Sequence, residues 1–151
     1  MKNRPTDANS GSLLKTLAEF RFELRRFLHF SEGAALEAGL QPQQHQLLLQ
    51  VAGAPRATVV TIAYAAERLG LKHNSTVELV DRSEREGLLE RTVDTYDRRR
   101  TILRVTDKGK TVLGHLAGNH ARELNELAPR LARALEDIRL HSRGVARTGA
   151  R

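Results

Sequence analysis

The apolar positions in the first part of the chain repeat with the spacing of an amphipathic helix. They step by four, three, four, three and four residues, a heptad pattern formed by Leu13, Leu17, Phe20, Leu24, Phe27 and Ser31. A second stripe of Leu14, Ala18 and Phe22 lies about a quarter-turn around the same helix. A helix that is apolar on two faces has to bury one against its own domain and the other against a partner. This pattern predicts a dimerisation helix over residues 13–38.

Shorter helices with recognisable ends follow this segment. Gln41-Pro42 is typical of a helix start, and the pattern predicts a helix over residues 43–52 that ends at Gly53. Thr61 is a predicted N-cap for a helix over residues 62–69, and Gly70 is its predicted C′ residue. A further helix is predicted over residues 73–85, ending near Gly87.

After this helix the spacing changes from helical to extended. Residues 88–93 and 101–105 are short runs that favour β-strands, and residues 94–100 between them are turn formers and arginines, which predicts a hairpin. Thr106 is the predicted cap of a long helix over residues 106–140 with an apolar stripe formed by Leu113, Leu116, His120, Leu124 and Leu127. Pro129 is predicted to break this helix or to restart it as a new one.

Composition excludes several classes of function. The chain of 151 residues has no cysteine, which excludes disulfides, thiolate metal sites and cysteine nucleophiles. No apolar run approaches the ~18 residues of a membrane span, and residues 1–12 have no apolar signal segment, so a cytoplasmic protein without membrane contact is predicted. The six histidines include no i,i+3 or i,i+4 pair, and no motif pairs a catalytic acid with a base. No metal, cofactor or enzymatic activity is predicted.

The net charge of +7 is concentrated at the end of the chain. Residues 139–151 contribute +4 and residues 1–12 contribute +1, which leaves only +2 for the 126 residues between them. We therefore predict a disordered arm over residues 1–12 and a basic flexible tail over residues 141–151. A nucleic-acid partner has to be argued from a local basic cluster rather than from the total charge.

Two helices joined at Gly70 and followed by an arginine-tipped hairpin are the layout of a winged helix-turn-helix. In that layout one helix enters the major groove of DNA, and an arginine of the hairpin enters the neighbouring minor groove. The predicted fold is mainly α with a small β-hairpin wing. A winged helix-turn-helix over residues 40–105 lies between long N- and C-terminal dimerisation helices, all in one domain over residues 13–140.

The chain resembles the MarR (multiple antibiotic resistance regulator) family in several segments. These are Ala66–Leu71, Val77–Arg82, Glu86–Arg91, and the Asp97–Arg100 wing that leads to Leu103–Gly109. The resemblance implies a homodimeric transcription factor, usually a repressor, that binds a palindromic operator and has a pocket for a small molecule. It also places Asp97 and Arg99 at the wing positions where the acid orients the arginine. Three positions depart from the family pattern: Tyr64, Ala65 and Ser83.

Helical phase assigns the two faces of the predicted recognition helix. Thr76, Leu79, Val80 and Ser83 are predicted to face the core. The predicted DNA-contacting residues are Lys72, Asn74, Ser75, Val77, Glu78 and Arg82 of this region, with Arg98, Arg99 and Arg100 of the wing. The alternative is that these residues form an ordinary solvated helix face and an ordinary charged turn.

An effector pocket is a further prediction. Arginines, imidazoles and an aromatic ring would suit a small aromatic or anionic effector, and the predicted lining consists of Arg25, Arg26, His29, Phe30, Gln44 and His45. In the alternative interpretation the arginines pair with Glu19, Glu23 or Glu32, and Phe30 packs in the dimer core.

These observations predict a ligand-responsive DNA-binding repressor that acts as a homodimer on double-stranded DNA. The competing hypothesis is a winged-helix module for protein–protein contact without sequence-specific DNA binding. Binding through several phosphates weakens steeply with salt, whereas binding to a protein need not, so salt dependence separates the two hypotheses.

Overall fold

The computed structural model describes residues 6–148, with side chains for residues 10–142. In chain order the elements are α1 (Thr6–Glu37), α2 (Pro42–Ala52), α3 (Ile62–Leu69), α4 (His73–Arg85), β1 (Leu89–Val93), β2 (Thr101–Val105) and α5 (Asp107–Thr148). This mainly helical fold with one two-stranded antiparallel hairpin confirms the predicted fold class. None of its helices in the described range has the length and apolar character needed to cross a bilayer.

The chain divides into two compact units. We call residues 32–119 the winged unit, and we call the residues up to 31 together with those from 120 onward the end-helix unit. The winged unit contains the four elements α2, α3, α4 and the hairpin, and therefore the whole candidate DNA-binding surface.

Helix ends in the winged unit are set by local chemistry. The Thr61 hydroxyl accepts a hydrogen bond from the Tyr64 amide at 3.2 Å, so α3 is capped although Tyr64 stands where a capping acid would be. Gly70 has a left-handed backbone with φ 64°, and the Leu71 amide donates to the Ala66 carbonyl at 3.0 Å. α2 starts at Pro42, where the Gln44 side chain accepts from the Gln41 amide at 3.0 Å. The predicted ends of α2 and α3 are confirmed.

The recognition-helix region packs as its helical phase predicts. The inward residues Thr76, Leu79, Val80 and Ser83 are all buried. The buried Ser83 hydroxyl donates to the Leu79 carbonyl at 2.8 Å, and the Thr76 hydroxyl donates to the Lys72 carbonyl at 3.0 Å. Since both hydroxyls are hydrogen-bonded within the helix, the polar residue at position 83 leaves no unsatisfied donor in the core.

The hairpin pairs Leu89 with Val105 at its base and Val93 with Thr101 at its outer end. Leu89, Leu103 and Val105 are buried, so the base of the hairpin belongs to the core of the winged unit. The Leu103 amide also donates to the Val60 carbonyl at 2.8 Å, which joins the connector before α3 to β2. The base of the wing is therefore held both by the core of the winged unit and by the connector before α3.

The junction between β2 and α5 is closely packed around Gly109. Thr106 caps α5 as predicted, because its hydroxyl accepts from the Gly109 amide at 3.1 Å. The same hydroxyl donates to the Gly87 carbonyl at 2.6 Å. A Cβ at residue 109 would overlap the Leu88 carbonyl and lie 2.6 Å from Val105 Cγ1, so only glycine fits here.

The end-helix unit differs from the prediction at Pro129. α5 runs without interruption through this proline, so the predicted break or restart is wrong. A proline inside a helix costs ~3 kcal/mol, and packing on both sides of it offsets that cost. Leu127 is buried, and the Arg130 guanidinium pairs with Glu23 at 3.1 Å. Ser31 Oγ and His120 Nε2, 2.7 Å apart, join the two helices of this unit again.

The end helices also extend into the segments predicted as a flexible arm and tail. α1 begins at Thr6 and α5 ends at Thr148, so residues 6–12 and 141–148 are helical. The physical reason is that no proline occurs between residues 5 and 42 or after residue 129, and Gly144 is the one glycine between residues 119 and 148. The remaining parts of the two predicted segments, residues 1–5 and 149–151, lie outside the described residues.

Candidate nucleic-acid interface

The outward face of α4 carries the predicted base- and phosphate-contacting residues. Lys72 precedes the helix as its N-cap residue, with extended backbone, and its side chain is exposed. The remaining predicted residues of this face are exposed, except for the half-buried Val77: Asn74, Ser75, Glu78 and Arg82. The amide, hydroxyl, carboxylate and guanidinium groups needed to contact a DNA groove are thus on one face of α4 and accessible to solvent.

Two aspartates organise the turn at the tip of the wing. The Asp94 carboxylate accepts from the Tyr96 amide at 2.9 Å, and the Asp94 amide donates to the Arg100 carbonyl at 3.0 Å. Asp97 Oδ1 accepts from the Arg99 amide at 3.1 Å, and Asp97 Oδ2 lies 3.5 Å from Arg100 Nε. Because short side chains hold the backbone, the turn has a defined shape without a core of its own.

Asp97 acts on Arg99 through the main chain. The resemblance places Asp97 as the residue that orients the Arg99 side chain, whereas in this structure it binds the Arg99 amide and the Arg100 guanidinium. Among the described residues, Arg98 and Arg99 have no ion-pair partner, and their side chains are exposed. Two guanidinium groups are therefore available to an anionic ligand at the wing tip.

An ion-pair cluster, the Arg91 clamp, connects the wing to α4. The Arg91 guanidinium binds Glu84 at 2.8 Å and also pairs with Asp81, and the Arg91 amide donates to Glu84 at 3.3 Å. The clamp joins β1 of the wing to the recognition helix and offsets half of the negative charge of two carboxylates beside the candidate DNA surface. Sequence reasoning missed it, because its partners lie seven and ten residues away across a turn, a spacing that no helix or strand period reveals.

We expect Arg91→Ala to lower both stability and DNA affinity. The loss of a partly exposed ion-pair cluster should reduce the free energy of unfolding by about 1 kcal/mol, measured by urea denaturation. DNA affinity should also fall, since the wing is released and Asp81 and Glu84 then repel phosphates. Arg91→Lys, which keeps the charge but not the forked geometry, should give an intermediate loss. Full stability and full affinity in Arg91→Ala would show that the clamp has no such role.

The predicted effector residues occur in both units. Arg25, Arg26, His29 and Phe30 belong to the end-helix unit, and Gln44 and His45 belong to the winged unit. Arg26 pairs with Glu23 at 3.5 Å, as the alternative interpretation expects, and Arg25 and His29 are exposed. The Phe30 and His120 rings meet edge to face, with centroids 5.6 Å apart.

The two predicted effector residues of the winged unit are both buried. The Gln44 side chain donates to Glu86 at 2.9 Å, and His45 lies beside it in the sequence on α2. The effector pocket stays a prediction.

No group of three or more acidic or histidine side chains within the described part of the chain could hold a metal ion. The exposed side chains of α4 and of the wing turn offer hydrogen bonding and positive charge, presented by one helix and one turn. That combination suits a sequence of bases and phosphates.

The helix-turn-helix, the wing and the long end helices together define a winged helix-turn-helix regulator. The MarR family profile matches residues 38–100. The PcaV transcriptional regulator from Streptomyces coelicolor, solved with its natural ligand, is 32% identical over 70% of this chain and 74% of its own, with a TM-score of 0.51. The chain belongs to the MarR family of transcriptional regulators.

Two further solved structures share the fold across most of their length. The MarR family transcription regulator SP03579 is 18% identical, and the match covers 96% of this chain and 93% of that one with a TM-score of 0.73. A mutant of MepR from S. aureus, solved bound to an oligodeoxyribonucleotide, is 17% identical, with coverage of 85% and 94% and a TM-score of 0.62. No protein with curated annotation matches this chain in sequence.

Proposed function

We propose that this protein is a homodimeric transcriptional repressor that binds a palindromic operator through α4 and the wing of each protomer. The observation that carries the proposal is the wing turn, in which Asp97 holds the backbone while Arg98 and Arg99 remain exposed. The Arg91 clamp ties β1, the strand that leads into this turn, to α4, which supports one preorganised surface for both DNA-contacting elements. The relative solved with an oligodeoxyribonucleotide supports DNA as the ligand.

Exposed apolar side chains on the end helices support the homodimer. α1 and α5 expose more than half of the side chain at several positions: Leu14 (67%), Phe22 (56%), Leu135 (53%) and Leu140 (55%). A protein surface seldom leaves so much apolar area in water unless another chain covers it. A two-fold dimer would cover these residues and present two copies of α4 to successive major grooves, about 10 bp apart.

Response to a small aromatic or anionic effector is the third part of the proposal. The 32% identical regulator was solved with its natural ligand, and this chain has arginine, imidazole and aromatic side chains among the predicted pocket residues. An effector that binds one dimer geometry more tightly would shift the population and so change operator affinity. A screen of small aromatic acids by thermal shift, followed by titration of the DNA complex, tests this part.

DNA binding should weaken steeply as salt rises. We expect the protein to bind a fragment of its own genome, and the logarithm of the binding constant to fall with the logarithm of salt at about −0.9 per phosphate contacted. Fluorescence anisotropy between low and physiological salt measures this slope. The homodimer has its own test, because light scattering at micromolar concentration should then give twice the 16.9 kDa chain mass. A monomer, or no binding to any genomic fragment in low salt without effector, would contradict the proposal. Binding only to a protein partner would favour the interaction-module hypothesis.

A further inference from the structure

The wing carries two exposed apolar side chains that the proposed arginine contacts do not use. Tyr96 at the tip is 100% exposed, and Val93 at the end of β1 is 65% exposed. The Tyr96 ring contributes no burial to the winged unit, so packing in the core does not explain its presence, and Val93, although it suits a β-strand, leaves most of its surface exposed beside the turn. We call these two residues the apolar wing pair.

The turn holds Tyr96 in place from its backbone. The buried Asp94 accepts from the Tyr96 amide at 2.9 Å, and the Asp94 amide in turn binds the Arg100 carbonyl at 3.0 Å. The antiparallel pairing of Val93 with Thr101 ends immediately before this turn. The backbone below the ring is thus ordered before any ligand arrives, which lowers the entropy lost when the ring is buried.

We propose that Tyr96 packs its ring against the deoxyribose edges of duplex DNA, with Val93 beside the same strand. The inference rests on the proposed function, because it requires the wing to meet DNA. The charge of the turn selects this occupant: Arg98 and Arg99 are exposed and follow Tyr96 within three residues. Guanidinium groups bring phosphates to the tip, and the apolar sugar faces between those phosphates cover the ring.

Affinity measurements at several salt concentrations test the contact. Tyr96→Ala should weaken operator binding about three- to tenfold, in the range of a lost aromatic contact. The salt slope should stay at its native value, because an apolar contact releases no counterions. Arg99→Ala should instead reduce the slope by about one. Tyr96→Phe should bind as the native protein does, since the ring is retained.

Fluorescence gives an independent readout of the ring itself. The chain has two tyrosines and no tryptophan, and Tyr64 is half-buried on α3. In the Tyr64→Phe variant, Tyr96 is the remaining tyrosine, and acrylamide should quench its emission efficiently in the absence of DNA. Adding an operator fragment should lower the quenching constant, because the sugars cover the ring.

The outcomes separate this inference from the proposed function. If the native protein binds its operator but Tyr96→Ala binds equally well and quenching does not change, the ring contact is refuted while the repressor proposal stands. A loss in Tyr96→Phe as large as that in Tyr96→Ala would also refute ring packing, since the phenol oxygen would then make the contact. If the native protein binds no DNA, the proposed function fails, and this inference fails with it. Circular dichroism of each variant tests whether the fold is unchanged.

Discussion

Replacing Gly109 by alanine should destabilise the winged unit by about 1–3 kcal/mol. The added Cβ would overlap the Leu88 carbonyl and lie 2.6 Å from Val105 Cγ1. Leu88 and Val105 are both buried, and the carbonyl belongs to the backbone at the base of the wing, so neither group can move away cheaply. The strain would separate β2 from the start of α5, where the Thr106 hydroxyl now binds the Gly109 amide.

Gly114→Ala is the matched control on the same helix. A Cβ at residue 114 meets nothing within 4 Å, so alanine there should raise stability by about 0.5–1 kcal/mol through helix propensity. Urea denaturation of the three proteins gives both differences. Equal stability of Gly109→Ala and the native protein would show that the junction repacks without cost, which would contradict the close approach that the structure describes.

Local chemistry explains why the sequence predicts the winged unit well. A hydroxyl at Thr61 determines where α3 begins, and a left-handed glycine at Gly70 determines where it ends. Both residues lie within one turn of the helix terminus that they set. The wing is similar, because its strands are β-favouring runs on either side of a seven-residue turn. Helix caps and hairpin turns are formed by residues close together in the chain, so they can be recognised from the sequence alone.

Contacts between residues on different elements explain where the prediction fails. Pro129 has the local signature of a helix break, yet α5 continues because Leu127 is buried and Arg130 binds Glu23, more than a hundred residues earlier in the chain. The Arg91 clamp is likewise formed across a turn. Neither arrangement follows from a repeat of 3.6 or 2 residues, so pattern analysis has no means of finding them.

The wing residues illustrate the same limit at the candidate site. The family resemblance predicts Asp97 and Arg99 as a functional pair, and the structure places them in one turn. Which atoms meet depends on the backbone of that turn, where Oδ1 of Asp97 receives the Arg99 amide and Oδ2 faces Arg100. The residues of a site are thus easier to predict from sequence than the atoms through which they act.

Arg99→Ala should weaken operator binding by about 1–3 kcal/mol without unfolding the protein. The guanidinium of Arg99 is exposed and has no ion-pair partner among the described residues, whereas its amide is fixed by Asp97. Removing the side chain therefore leaves the turn intact and deletes a contact to the narrow, strongly negative minor groove. Anisotropy titration at one fixed salt concentration measures the loss, and thermal denaturation should give the native midpoint.

Arg104→Ala separates a direct contact from a general effect of charge. Arg104 is exposed on β2 of the same hairpin and pairs in register with Glu90, near the base of the wing rather than at its tip. Both substitutions remove one positive charge, so long-range attraction to DNA decreases equally in the two variants. A larger loss in Arg99→Ala then measures the contact at the wing tip. Equal losses would mean that the arginines act only through net charge, and the wing would have no specific place in the groove.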